Sequence, residues 1–379
     1  MTNQIFKPNP ILKIVHSTLV SLPAPSNLSL IWNIGSLLFL CLIIQIFSGI
    51  LIAATYTVSI DIRFSQTTLF IERNSINWLL RYTHANGASL FFLCLYVHTG
   101  RGIYYSSSSF HLTWISGVTI LLLCIATAFL GYVLPLNQIS FWGASVITNL
   151  FSEVPYIGPD LVQLIWGGAR ISTPTITRFF DFHFILPFVI LALVIIHITF
   201  LHITGSSNPI GVSSNLDKIP FHPYFTIKDI IGILIVLLAF SFICLYTPLI
   251  LGDNENFTPA NPSRTPHHIQ PEWYFLFAYA ILRAVPNKLG GVIALAGSIL
   301  ILYILPFTRN TKFKRTIFYP PTKFLFWLFC VVTILLTWLG ICPVEPPYIA
   351  LSQIFSVVYF SYFLANPLIK KLWELIYTT

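Results

Sequence analysis

Apolar residues run along this chain in eight stretches, each long enough to cross a bilayer as a helix, which takes about 20 residues. They cover roughly 33–55, 77–104, 112–134, 178–204, 229–250, 289–309, 322–342 and 348–372. Two further apolar segments, roughly 139–150 and 271–285, are too short to cross and are predicted to be interfacial helices. Turn chemistry separates several of the runs, as in Thr258-Pro259-Ala260-Asn261-Pro262 and Tyr319-Pro320-Pro321. The pattern predicts an all-α, polytopic membrane protein of eight transmembrane helices.

Composition agrees. Of 379 residues, 56% are hydrophobic and 8% charged, and the mean hydropathy is +0.80. Soluble proteins carry about 25% charged residues, so a soluble domain is excluded. Met1–Pro10 lacks a short apolar core with a cleavage site, and no removable signal is expected. Six cysteines (Cys41, Cys94, Cys124, Cys244, Cys330, Cys342) lie in or at the ends of apolar runs without a CxxC pair. That argues against a disulfide scaffold or a zinc site, and the lack of CxxCH argues against covalent haem.

Eight spans place both termini on one face, called inner below. That face carries twelve of the 20 Lys and Arg residues, including Lys7, Arg309, Lys312, Lys314 and Arg315. The excess predicts that the termini lie inside. The basic balance thus reads as membrane topology, and no nucleic-acid partner is expected.

Candidate chemistry comes from a doubled histidine register. His84 and His98 are 14 residues apart in the second run, and His183 and His197 are 14 apart in the fourth. Fourteen residues make about 3.9 helical turns and about 21 Å of rise, so each pair shares one helix face. Both helices run inward, which pairs His84 with His183 near the outer face and His98 with His197 near the inner face. Neutral imidazoles suit iron, and buried intramembrane histidines point to function. Two bis-histidine haems stacked through the membrane, and electron transfer between them, are the expectation.

Glycines repeat the spacing. Gly35 and Gly49 lie in the first run, and Gly117 and Gly131 in the third, each pair 14 apart. Small residues allow close approach, and these are expected to make room for the porphyrins: Gly35 and Gly117 at the inner level, Gly49 and Gly131 at the outer. Arg81 and Arg101 flank His84 and His98. An arginine there either snorkels to the interface or pairs with a haem propionate.

At this point the chain resembles the mitochondrial cytochrome b family, the membrane core of quinol–cytochrome c oxidoreductase (respiratory complex III). The resemblance spans essentially the whole chain. It rests on the four histidines and four glycines, Trp142-Gly143-Ala144, Gly167-Gly168, Phe179–Pro187 and Pro271-Glu272-Trp273-Tyr274. It implies a dihaem four-helix bundle over residues 1–210 and a further membrane region over 211–379. It also implies two non-covalent b-type haems, ubiquinol and ubiquinone as substrates, and a homodimeric complex with a Rieske iron–sulfur protein, cytochrome c1 and other subunits. The implied location is the mitochondrial inner membrane, with both termini in the matrix.

The resemblance implies two quinone sites. Near the outer face, Glu272 would accept the quinol proton, Tyr132 and Tyr279 would bond or relay, and Phe129, Trp142, Gly143, Ile147 and Phe275 would shape a flat apolar pocket. Read alone, the aromatics are interfacial belt residues. Near the inner face, His202 and Asp229 would flank a quinone and deliver protons, with Ser36, Asn33, Trp32 and Lys228 completing the site. Electrons from quinol would divide between the Rieske partner and the outer haem, and pass from there to the inner haem and the inner quinone.

Asp181 departs from the family's usual small apolar residue. It is expected at the surface or bonded to Arg178, with a lowered outer-haem potential as the other outcome. Two competing readings are a proton-coupled transporter and another dihaem membrane cytochrome. A transporter has no use for the doubled histidine–glycine register, and the other dihaem cytochromes lack Pro-Glu-Trp-Tyr.

Overall fold

The computed structural model describes residues 9–266, 268–308, 312–313 and 315–378. Lys7, Arg309 and Lys314, counted above on the inner face, lie outside the described residues. The helices are α1 (Pro10–Val15), α2 (Ile34–Ala53), α3 (Arg63–Arg73), α4 (Ser75–Tyr104), α5 (His111–Val133), α6 (Gln138–Asn149) and α7 (Gly158–Trp166). They continue as α8 (Thr173–Thr204), α9 (Tyr224–Tyr246), α10 (Leu276–Ala284), α11 (Lys288–Leu300), α12 (Pro320–Ile341) and α13 (Tyr348–Thr378).

Each of the eight runs becomes a helix, and both short segments become α6 and α10. Six helices are long and apolar enough to span on those grounds alone: α2, α5, α8, α9, α12 and α13. The second span, α4, is long but carries Arg81, Arg101, two histidines and Asn86, and that polarity marks where the chemistry sits. The sixth is shorter than expected, because α11 gives way to a 3₁₀ turn at Ile301–Ile304. Three helices were not foreseen. Of these, α3 and α7 are amphipathic elements on the outer connections, and α1 precedes the first span. A two-stranded antiparallel ribbon pairs Pro23–Pro25 with Lys218–Pro220 and ties the entry of α2 to the α8–α9 connection.

The helix ends follow local chemistry. Asn74 caps α4 by accepting from Asn77 N–H at 2.9 Å, Asn137 caps α6 through Ser140 N–H at 2.9 Å, and Asn287 caps α11 through Gly290 N–H at 2.8 Å. Ser172 and Thr175 form a capping box at the start of α8. Gly167, with φ +71°, ends α7 in the left-handed conformation that glycine adopts at least cost.

Packing divides the molecule. The tightest contacts in the N-terminal half join α2 to α4 and α5 to α8, and only sparse contacts link α2 with α8. Two helix pairs therefore face each other across a gap. In the C-terminal half, α10, α12 and α13 pack on one another, with α11 against α10. Their core holds Phe277, Leu336, Tyr359, Tyr362 and Phe363. Gly340 lets α12 press on α10, since a Cβ there would lie 2.5 Å from the Leu276 carbonyl oxygen. Long helices such as α8 and α9 expose rows of Ile, Leu and Phe, as expected where lipid is the solvent.

Candidate functional site

Across the gap, the four histidines meet in the pairs expected from the sequence. The rings of His84 on α4 and His183 on α8 have centroids 6.2 Å apart. Those of His98 and His197 are 6.4 Å apart. A metal–imidazole bond of about 2.0–2.1 Å to each ring would fit within such a separation. Both pairs match the span of one iron between two rings.

Each glycine touches a histidine of its own helix pair. A Cβ on Gly49 would lie 3.1 Å from Cε1 of His84, and one on Gly117 3.0 Å from Cε1 of His197. One on Gly131 would overlap Cε1 of His183 and lie 2.7 Å from its Nδ1, whereas Gly35 stands 3.9 Å from Cε1 of His98. Each of these contacts is with an imidazole. The glycines let α2 close on α4, and α5 on α8, with the imidazole rings between them.

The remaining ring nitrogens are also held. Ser48 Oγ is 2.9 Å from Nδ1 of His84, Ser116 Oγ is 2.9 Å from Nδ1 of His197, and the Thr127 carbonyl oxygen is 2.8 Å from Nδ1 of His183. A partner on Nδ1 fixes the ring and leaves Nε2 for a metal. His98 differs, because its Nδ1 faces Arg101 Nη2 at 3.2 Å. These serines were missed, although a signal existed: both Gly49 and Gly117 follow a serine.

A partly open pocket lies near the outer pair. Phe129, Tyr132, Gly143, Ile147, Pro271, Glu272, Phe275 and Tyr279, all singled out in the sequence, line it. Trp142 does not; its Nε1 donates to the Asn261 carbonyl at 3.3 Å, because Gly143 and Ile147 occupy the face of α6 turned to the cavity. Burial holds the Glu272 carboxyl up at about 7, with the nearby Asp253 charge adding to the rise; the hydrogen bond with Tyr132 and the Arg81 charge work in the opposite direction. Tyr279 donates to the Ile269 carbonyl at 3.1 Å, and Tyr132 to Asn256 Oδ1 at 3.5 Å. Asn256 and Asp253 carried no signal in the sequence, since their loop is remote from α5 along the chain.

The inner candidates gather only in part. Asn33 Nδ2 donates to the Lys228 carbonyl at 2.7 Å, Ser36 Oγ to the Asn33 carbonyl at 2.7 Å, and Lys228 Nζ to the Leu28 carbonyl. Ser36 also meets the Asp229 side chain. Asp229 therefore sits with the start of α2, and among the described residues no contact with His202 at the end of α8 is seen.

Asp181 is exposed. The expected bond to Arg178 is not formed, because Arg178 turns back to the Leu164 and Ile165 carbonyls at the end of α7. An ion pair joins Glu153 and Lys288 at 3.8 Å.

Comparison with known proteins places these features. Residues 19–205 match the family model for cytochrome b/b6/petB, and residues 259–360 match that for cytochrome b(C-terminal)/b6/petD. A chain of a solved structure described as a hyperthermophilic respiratory complex III superposes with a TM-score of 0.89 at 32% identity. The match covers 95% of this chain and 96% of that one.

Proposed function

The chain belongs to the cytochrome b/b6 family, and on that premise we propose that it is the haem-bearing membrane subunit of a respiratory quinol–cytochrome c reductase. It would oxidise quinol at the outer cavity and reduce quinone at the inner face. The observation that carries this reading is the pair of histidine clamps, at 6.2 and 6.4 Å, each backed by glycines.

The residues present fit two b-type haems, His84 and His183 holding the outer and His98 and His197 the inner. When bound, the haems supply single-electron carriage across the membrane. The protein contributes everything else. Ser48, Ser116 and the Thr127 carbonyl orient the ligands. A metal on Nε2 of His98 leaves the proton on Nδ1, and a guanidinium cannot accept it. Arg101 then needs an anion, and a propionate meets that need. Arg81 lies within electrostatic reach of Glu272 and Tyr132, at the outer level.

At the outer cavity, the apolar lining excludes water around a flat ring. Glu272, poised near neutrality, takes the proton that quinol releases on oxidation. Tyr132 and Tyr279 hold their hydroxyls at the cavity wall as hydrogen-bonding partners for quinol. At the inner face, Asp229 beside Ser36 supplies protons to quinone, and His202 joins them from α8 once quinone bridges the two. Residues 1–210 would form the haem unit and 211–379 complete the quinol site through Glu272. Ubiquinone as the quinone, a Rieske protein and cytochrome c1 as partners, a homodimeric complex, and a mitochondrial inner membrane with both termini in the matrix belong to the same reading.

Redox titration of the purified complex, followed in reduced-minus-oxidised spectra, tests it. Two distinguishable b-type transitions are expected. A colourless subunit, or a single transition, would end the proposal.

A further inference from the structure

Three buried donor atoms at the inner end of the bundle have no acceptor among the described residues: Nε of Arg101, Nε1 of Trp32 and Nη2 of Arg315. They belong to one stack. The guanidinium carbon of Arg101 lies 5.5 Å from the Trp32 ring centre. Trp32 and Tyr105 have centroids 4.8 Å apart. The guanidinium carbon of Arg315 lies 4.5 Å from the Tyr105 ring centre. The stack begins at His98, through its 3.2 Å contact with Arg101.

Arg315 comes from the distant α11–α12 connection and is 2% exposed. It is seated against Gly211, whose φ is +84° and where any Cβ would overlap the arginine side chain. Asn208 fixes that turn by accepting from the N–H groups of Ile210 and Gly211 at 3.0 and 2.9 Å. Two parts of the chain are thus shaped to hold this guanidinium. Burial brings Arg315 down to about 10, so it stays charged at neutral pH.

Neither guanidinium pairs with an acid among the described residues. Asp229, the acid at the inner end of α9, meets Ser36 instead. Burying unpaired cations is costly unless an anion completes the site. A haem held by His98 and His197 would bring two propionates to this end.

We propose that Arg315 is a positioning and electrostatic residue of the inner haem, acting through the Arg101–Trp32–Tyr105–Arg315 stack to raise that haem's midpoint potential. The inference rests on the two-haem reading. A fixed positive charge in a low-dielectric setting favours the reduced, more electron-rich state of the group it faces. Cation–π contacts within about 6 Å hold the chain of rings and guanidiniums together. The consequence is directional, since the inner haem becomes the better electron acceptor of the two.

The test is redox titration of the assembled complex carrying Arg315→Gln or Arg315→Lys. Arg315→Gln should shift the electron-sharing equilibrium between the haems about tenfold toward the outer one, which is about 59 mV for a one-electron couple. Arg315→Lys should keep most of the original inner midpoint, and the outer midpoint should stay put in both. If the Gln variant does not assemble, Tyr105→Leu, which breaks the stack and keeps the charge, should lower the inner midpoint in the same sense. An unchanged inner midpoint in Arg315→Gln, or in Tyr105→Leu where that variant stands in for it, with both haem bands intact, overturns the proposal. Absence of two haem bands in the unaltered complex would instead remove the reading beneath it.

Discussion

Gly131 stands against the imidazole of His183 so closely that a single added methyl would overlap Cε1 and lie 2.7 Å from Nδ1. The ring has nowhere to retreat, because its Nδ1 is tied to the Thr127 carbonyl at 2.8 Å on the same helix as the glycine. A helix backbone thus serves as one wall of the imidazole's socket.

Gly131→Ala is therefore expected to displace His183 and to cost about 1–3 kcal/mol of overpacking. The outer haem signal should fall in reduced-minus-oxidised spectra. Gly35→Ala, where the Cβ would meet His98 Cε1 at an ordinary 3.9 Å, should leave the inner haem signal near normal. Equal loss in both variants would contradict the difference in geometry.

His98→Ala should remove the inner haem and leave the outer pair able to bind. Its rings lie on a separate level of α4 and α8 with their own glycines and Nδ1 partners. Haem counting by pyridine haemochrome, together with the spectrum, distinguishes one remaining haem from two. Retention of both would refute the pairing.

Glu272 sets a pH dependence. Its carboxyl is pushed up to about 7, chiefly by burial, so below that pH it is protonated and cannot take a proton from quinol. Turnover should rise as pH increases through about 7. Glu272→Gln should be slower and should lose that limb of the profile. A variant with wild-type turnover across the range would take Glu272 off the proton path.

Arg283 bridges two halves of the C-terminal bundle. From α10 it donates to the carbonyls of Leu339, Gly340 and Cys342 at the end of α12, at 2.7, 2.9 and 3.0 Å, and it lies 4.7 Å from the Tyr279 ring centre. Arg283→Ala should lower stability by about 1.5–3 kcal/mol, the worth of charge-assisted bonds to otherwise orphaned helix-end carbonyls. Thermal unfolding in detergent measures it, and an unchanged midpoint would show that the cap is dispensable.

Much of the site was legible because helical periodicity converts spacing into position. Fourteen residues between His84 and His98 place both on one face of α4 whatever surrounds them, and the same holds for Gly35 and Gly49 on α2. Side-chain direction across helices was less legible. The contact of Gly131 with His183 is one such feature, set by how tightly α5 closes on α8. Asp181 was expected at the surface or bonded to Arg178; it is exposed, and Arg178 caps α7 instead, because free carbonyls at a helix end outcompete an exposed ion pair. Trp142 turned to Asn261, a loop residue that no local pattern ties to α6.

By itself, the sequence determined the order of the eight apolar runs and the two short helices, the two levels of the histidine pairs and the glycines that accompany them, since these follow from apolar run length and from the 3.6-residue turn. Only the tertiary structure decided that α2–α4 and α5–α8 form two tight pairs around a gap, that Asn256 and Asp253 reach the Glu272 cavity, and that Arg315 stacks on Tyr105. Those contacts join residues far apart in the chain. Their geometry depends on how backbones approach one another, which no local pattern encodes.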